Sequence, residues 1–97
     1  MAYVSEKLAK SLAQKAMART AQMSAIWLEK WREDERAAKQ EAPLNADEQA
    51  SMDFILAYLP ESDLQNHDYS FWLQHCRETL SLCDEFVSDP NIRDALF

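Results

Sequence analysis

Glycine is absent from this chain of 97 residues. Glycine supplies positive φ in tight hairpin turns, and it lets the backbone approach phosphates in nucleotide-binding loops. Its absence therefore argues against hairpin-rich sheets, P-loops and dinucleotide-binding fingerprints. A helical protein with short connections does not need glycine, so the composition favours an all-α fold.

Long apolar runs and a bridgeable cysteine pair are also lacking. No apolar run approaches the ~18–20 residues that span a bilayer, and the N-terminus has no compact secretory stretch. Cys76 and Cys83 are seven residues apart, which is about 10 Å along a helix and too far for a disulfide. Reduced thiols without a secretion signal predict a cytoplasmic protein with no membrane partner.

Basic residues become scarce after residue 41. Residues 1–41 contain eight basic and six acidic residues, a charge of +2, whereas residues 42–97 contain eleven acidic and two basic residues, a charge of −9. This asymmetry either steers a charged partner or ties the two parts together. Direct nucleic-acid binding is not favoured, because no recognition-helix signature accompanies the basic residues.

The segment from Ser5 to about Gln40 predicts one long helix. About 36 residues would span roughly 54 Å, which exceeds the width of so small a domain. Either one end projects or the helix breaks at Thr20–Ser24, where Thr and Ser compete for backbone hydrogen bonds. We therefore predict a single all-α domain, in which residues 1–41 form a long, mildly basic helix and residues 42–97 an acidic bundle of three to four shorter helices.

Residues that can cap a first helical turn precede each later helix. They are Asn45 with Glu48 before a helix that ends at Leu59, Ser62 with Gln65 around a short turn at 63–67, Asp68 before a helix at 69–88, and Asp89 with Pro90 before a helix at 90–96. The helix at 69–88 has the clearest amphipathic pattern. Its stripe of Trp72, Cys76, Leu80 and Cys83 is expected to face Leu56, Leu59 and the Trp27–Trp31 stripe.

Candidate catalytic and metal-binding groups are few. His75 and Cys76 are neighbours, which point about 100° apart on a helix and are badly placed as a dyad. The two histidines and two cysteines do not have zinc-site spacing. We predict no catalytic, cofactor-binding or metal-binding residue. The alternative is a small helical enzyme or metal-binding domain in which His67 and His75 converge with nearby carboxylates.

Two apolar triplets indicate a surface for another chain. Ile26-Trp27-Leu28 and Phe71-Trp72-Leu73 each cover about 200° of a helix, more than one packing partner covers. Each triplet is either wedged among several helices or partly exposed to a partner, and aromatic residues are the usual interface anchors. The partner-binding candidates are Trp27, Trp31, Phe71, Asp84, Glu85, Asp89 and Asp94.

These features predict a non-enzymatic module for protein–protein interaction. Its partner is expected to be a larger protein with a basic surface. The specific hypothesis is an inhibitor or modulator of a nucleic-acid-handling protein, of the kind that phages and other mobile elements encode. A homo-oligomer that pairs through the long helix is a further expectation.

Overall fold

The computed structural model describes the backbone of residues 4–88 and the side chains of residues 4–82. Its helices are α1 (Glu6–Thr20), α2 (Ala25–Glu41), α3 (Ala46–Tyr58), α4 (Glu61–Gln65) and α5 (Tyr69–Ser88). The described backbone contains no strand, and the prediction of a small all-α bundle is confirmed. The helix expected at 90–96 lies outside the described residues.

The region expected to form one long helix is divided at the break that its sequence suggests. The hydroxyl of Thr20 donates to the carbonyl oxygen of Ala16 at 2.8 Å, and α1 ends there. The hydroxyl of Ser24 then accepts from the backbone N–H of Trp27 at 3.5 Å and caps α2. The helix therefore ends where side chains compete with the backbone for hydrogen bonds and restarts where one caps it.

The helix ends match the lack of glycine. Helices often end in a left-handed residue, which is usually glycine. Here the residues that directly follow α1 and α4, Ala21 and Asn66, have right-handed conformations. Those that directly follow α2 and α3, Ala42 and Leu59, are extended. No residue of the described segment has a positive φ. The chain thus reverses direction without any position that requires glycine.

The predicted capping box of α3 is present, whereas the one expected around α4 is wrong. Asn45 Oδ1 accepts from Glu48 N at 2.8 Å, and Glu48 Oε1 accepts from Asn45 N at 3.1 Å. By contrast, α4 begins directly after Pro60 without a side-chain cap. Ser62 therefore lies inside the helix, where its hydroxyl does not precede the first turn.

Helices α1 and α3 pack side by side and run parallel. The backbone N–H of Val4 donates to Asp47 Oδ1 at 3.2 Å near the start of both helices. Near their ends, Lys15 Nζ donates to the Tyr58 hydroxyl at 2.7 Å. Ala16 of α1 is buried in the core. This face of α1 is thus covered within the chain.

Helix α5 runs antiparallel to α3 and also packs against α2. Arg77 Nε donates to Glu48 Oε2 at 2.6 Å, and Cys76 Sγ contacts Met52 Sδ at 3.6 Å. Since Glu48 lies in the first turn of α3, the part of α5 after Arg77 continues past that end of α3. The eleven residues of α5 that follow Arg77 correspond to about 16 Å of helix.

The core lies where α1, α2, α3 and α5 meet. Its buried members are Ala16, Trp31, Met52, Ile55, Leu56, Leu64, Tyr69, Trp72, Leu73 and Cys76. The prediction that Trp72 and Cys76 share a core with Leu56 is confirmed, while Leu59 is half-buried. Leu80 is also only half-buried, and the side chain of Cys83 lies outside the described part.

Among the described residues, none of the helices combines the length and apolarity of a membrane span.

Candidate functional site

A cleft of about 420 Å³ lies between α2 and the chain that leads into α5. We call it the aromatic cleft. It is lined by Trp27, Lys30, Trp31, Asp34, Gln65, Asn66, His67, Asp68, Tyr69 and Phe71. All three aromatic partner-binding candidates are among these residues. The structure thus brings together rings from two helices that are about 40 residues apart in the sequence.

The floor of the aromatic cleft belongs to the core. The rings of Trp27 and Trp31 are 5.2 Å apart, and Tyr69 meets Trp31 edge-on at 5.1 Å. Trp31 is only 2% exposed, because its ring fills the contact between α2 and α5. Trp31 was predicted as a partner-binding candidate, but this burial leaves it almost no ring surface for direct contact with a partner. Trp27 is half-buried and still reaches the surface.

The outer wall is a stack of exposed rings at the start of α5. His67 stacks on Phe71 with centroids 3.6 Å apart and planes at 17°. His75 lies parallel to Phe71 at 6.5 Å but does not line the aromatic cleft. Behind them, the buried ring of Trp72 stands edge-on to Phe71 at 5.1 Å. Phe71 is 44% exposed, so the stack presents an aromatic surface on a rigid support.

Local hydrogen bonds fix the chain between α4 and α5. Asp68 Oδ1 accepts from the backbone N–H of Phe71 at 2.9 Å and caps α5, as predicted. Trp72 Nε1 donates to the carbonyl oxygen of Leu64 at 3.0 Å in a buried position. These two bonds hold both ends of the connection that carries His67.

The aromatic cleft has an excess of negative charge. Lys30 Nζ contacts Asp34 Oδ1 at 3.0 Å and Oδ2 at 3.3 Å. The hydrogen bond and the charge of Asp34 raise the pKa of Lys30, and the charge of Asp68 contributes in the same direction. The charges of Asp34, Glu33 and Asp68 therefore all act on one ammonium group. The charged side chains of the lining are Lys30, Asp34 and Asp68, which sum to −1.

Two polar atoms of the floor are buried without a partner. Within the described residues, neither Trp31 Nε1 nor the Tyr69 hydroxyl has a hydrogen-bond partner. Burial, followed by the negative charge of Glu35, raises the pKa of Tyr69 to about 12. The phenol is therefore neutral at physiological pH, and the floor is electrically neutral.

The acidic candidates lie in the part of the chain whose side chains the structure does not describe. Asp84 and Glu85 belong to the last part of α5, whose side chains are not described, and Asp89 and Asp94 lie outside the described residues. Along α5, Asp84 follows Phe71 by thirteen residues, about 20 Å.

Sequence reasoning missed Lys30 and Asp34 as site residues, although their i,i+4 spacing signals an ion pair. It identified Asp68 only as a cap and His67 only as a metal-ligand alternative.

Each apolar triplet leaves one member exposed. Ile26 is 83% exposed, whereas Trp27 and Leu28 are half-buried. In the second triplet Phe71 is exposed, and its two neighbours lie in the core. In both triplets, the bundle therefore covers only part of the apolar surface.

The His75–Cys76 pair does not form a reactive site. Cys76 is buried beside Met52, and burial raises the pKa of its thiol to about 11. A thiol with a raised pKa is a poor nucleophile at neutral pH. Among the described side chains, no group of three or more His, Cys, Asp or Glu residues is arranged to hold a metal ion.

A second cavity of about 400 Å³ lies among α1, α3 and α5. Its lining is mainly apolar, includes Phe54 and Trp72, and contains no Asp, Glu, Lys or Arg and none of the partner-binding candidates. The aromatic cleft is the stronger candidate because it combines exposed rings with charged groups.

The ion pairs between described residues all stay within one part of the chain. Four join residues of 1–41, and the fifth joins Glu48 to Arg77. The basic part therefore does not neutralise the acidic part through these pairs.

No protein-family model, curated protein or solved structure matches this chain.

Proposed function

We propose that this chain is a non-enzymatic interaction module that binds a larger protein through the aromatic cleft. The observation that carries the proposal is the convergence of Trp27, Trp31 and Phe71 on one cleft. A few aromatic residues that contact the partner around a packed centre usually dominate the energy of an interface. Phe71 and Trp27 are placed for direct contact, while Trp31 supports them from the core.

The proposed partner has a basic surface. Residues 42–97 carry −9, and each of the five ion pairs described above lies within one part of the chain. Exposed charge of one sign accelerates association with a surface of the opposite sign. The aromatic cleft, with its own net charge of −1, suits the same partner.

The specific version of the proposal is an inhibitor or modulator of a nucleic-acid-handling protein, as mobile elements encode. It is supported by charge alone, because a surface that binds phosphates is basic and would attract an acidic module. Once a partner is identified, a short duplex oligonucleotide should compete with this chain for it. Simultaneous binding of both would remove this version and leave the general proposal in place.

The test begins with site-specific photo-crosslinking in the native host cell. A benzoylphenylalanine replaces Phe71 in one variant and Phe54 in the other. Phe54 is a matched control because it is 51% exposed and lies outside the aromatic cleft, where its ring is 5.0 Å from that of Tyr58 of α3 and tilted by 44°. We expect a discrete cross-linked partner from position 71 and none from position 54.

Binding of the identified partner is then measured with truncated rings. Phe71→Ala is expected to weaken binding about tenfold or more, mainly through faster dissociation. Phe54→Ala is expected to change it by less than about twofold. Equal effects of the two variants, or a larger effect of Phe54→Ala, would contradict the proposed site. Circular dichroism of both variants verifies that the bundle is intact.

A further inference from the structure

We propose that the aromatic cleft receives a cationic side chain, and that this side chain is an arginine of the partner. The inference rests on the proposed function, because it names the chemical group with which the partner enters the cleft. It is carried by the charge of the cleft, by its exposed rings and by the position of Lys30.

The charges of the aromatic cleft are complementary to a cation. Asp34 lies on α2 and Asp68 precedes α5, so carboxylates come from both sides. The side chain of Asp34 is partly exposed beside Lys30. Asp68 accepts a backbone N–H with one oxygen, and its charge still acts on the Lys30 ammonium group. The single lysine leaves a surplus of negative charge.

The rings distinguish arginine from other cations. Aromatic faces attract cations, and the planar guanidinium group stacks on them better than an ammonium group does. His67 and Phe71 form an exposed stack on one side, and Trp27 lines the other. The volume of about 420 Å³ falls within the range of ligand pockets. The buried floor of Trp31 and Tyr69 limits the access of water, which strengthens charge interactions above it.

Lys30 already occupies the position of such a cation. Its Nζ contacts both oxygens of Asp34, while most of its side chain is exposed. The ion pair is therefore at the rim and can exchange. An incoming arginine would replace Lys30 at Asp34, so Lys30 competes with the partner. Removal of this lysine, although it lines the cleft, should strengthen binding of the ligand.

The test is an NMR titration of the full-length ¹⁵N-labelled protein with Nα-acetyl-arginine amide. Of the three tryptophans, Trp27 and Trp31 line the cleft, and their indole N–H signals report on it. We expect a saturable shift of the Trp27 signal with a Kd of about 1–10 mM, as suits a single side chain. Nα-acetyl-citrulline amide has nearly the same shape without the charge, and it should bind about fivefold more weakly.

Variants connect the effect to the residues of the cleft. Lys30→Met should tighten arginine binding about two- to fivefold. Lys10→Met is the matched control, since Lys10 forms an exposed i,i+4 pair with Glu6 on α1 and its loss changes the net charge equally. Asp34→Asn should weaken binding in both the wild-type and the Lys30→Met backgrounds. Each variant must retain the dispersed spectrum of the folded protein.

Several outcomes would overturn the inference. They are the absence of a saturable shift up to the solubility limit, equal binding of the arginine and citrulline probes, and equal effects of Lys30→Met and Lys10→Met. None of these would affect partner binding that depends on Phe71, so the proposed function would survive. Conversely, arginine binding without any effect of Phe71→Ala on the partner would remove the proposed function alone.

Discussion

Trp72 donates its indole N–H to the carbonyl oxygen of Leu64 at 3.0 Å in the interior of the bundle. The bond joins α5 to the end of α4 and so fixes the connection that forms one wall of the aromatic cleft. It also satisfies a carbonyl group that has no access to water there. A buried carbonyl without a donor is costly, which makes this bond a sensitive point of the fold.

The first prediction concerns this bond. Trp72→Phe removes the donor, and we expect it to lower the free energy of unfolding by about 1–3 kcal/mol more than Trp31→Phe does. The comparison is matched because both indoles are buried and lose the same atoms, while Trp31 Nε1 has no partner among the described residues. Urea denaturation measures the difference. Equal losses would show that the hydrogen bond contributes nothing beyond packing.

The second prediction concerns packing on α4 and α5. Leu64 is fully buried, so Leu64→Ala should lower the free energy of unfolding by about 2–5 kcal/mol. Leu80 is only half-buried, and Leu80→Ala should cost about 1 kcal/mol, because less apolar surface returns to water. Chemical denaturation of the two variants checks the order. A larger loss for Leu80→Ala would mean that α5 packs more closely than described.

The features of the fold that could be predicted from the sequence are those set by residues that lie close together in the chain. Caps such as Asn45 and Asp68 were readable because the side chain and its backbone partner are only three residues apart. The break after Thr20 was suggested by a similarly local competition. The start of α4 was not predicted, because Pro60 fixes the turn without any side-chain cap.

The aromatic cleft was predictable only in part. Trp27 and Phe71 stood out as members of wide apolar triplets, but their meeting depends on how α2 packs against α5. That contact is set by the whole core and has no local signature. Burial of Trp31 follows from the same contact, so the sequence alone did not show that this candidate lies in the core. Asp34 and Asp68 became site residues only through this arrangement.

The third prediction concerns the hydroxyl of Tyr69, which is buried without a partner among the described residues. Tyr69→Phe should leave the free energy of unfolding at neutral pH unchanged or raise it by about 1 kcal/mol, because an unsatisfied polar group is removed. Tyr58→Phe is the control, since the Tyr58 hydroxyl is satisfied by Lys15. A marked loss of stability in Tyr69→Phe would indicate a bound partner for this hydroxyl.

The same substitution has a signature at high pH. The pKa of Tyr69 is raised from 10.0 to about 12 in the folded protein. Between these values the unfolded chain releases a proton that the folded chain retains, so the wild type loses stability as the pH rises. The full effect is on the order of 2–3 kcal/mol. Tyr69→Phe should lack this part of the alkaline loss, which denaturation curves at several pH values would measure.

The fourth prediction separates the charges from the rings in partner binding. Asp84 and Glu85 lie about 20 Å along α5 from Phe71, so they are suited to steering rather than to the packed centre. Reversal of both charges should slow association severalfold with little change in dissociation. The association rate of the wild type should also fall as salt rises, because exposed charges are screened beyond about 8–10 Å.

The control for this prediction is Glu6 with Glu41, two exposed acidic residues of the basic part, reversed together. This pair changes the net charge equally, so a smaller effect on association would assign the steering to the acidic part. Stopped-flow measurements at several salt concentrations, with the partner found by cross-linking, give both rates. If association is indifferent to salt and to Asp84 and Glu85, the electrostatic part of the proposal is wrong. The charge asymmetry would then serve the chain internally, through interactions longer in range than the ion pairs between its described residues.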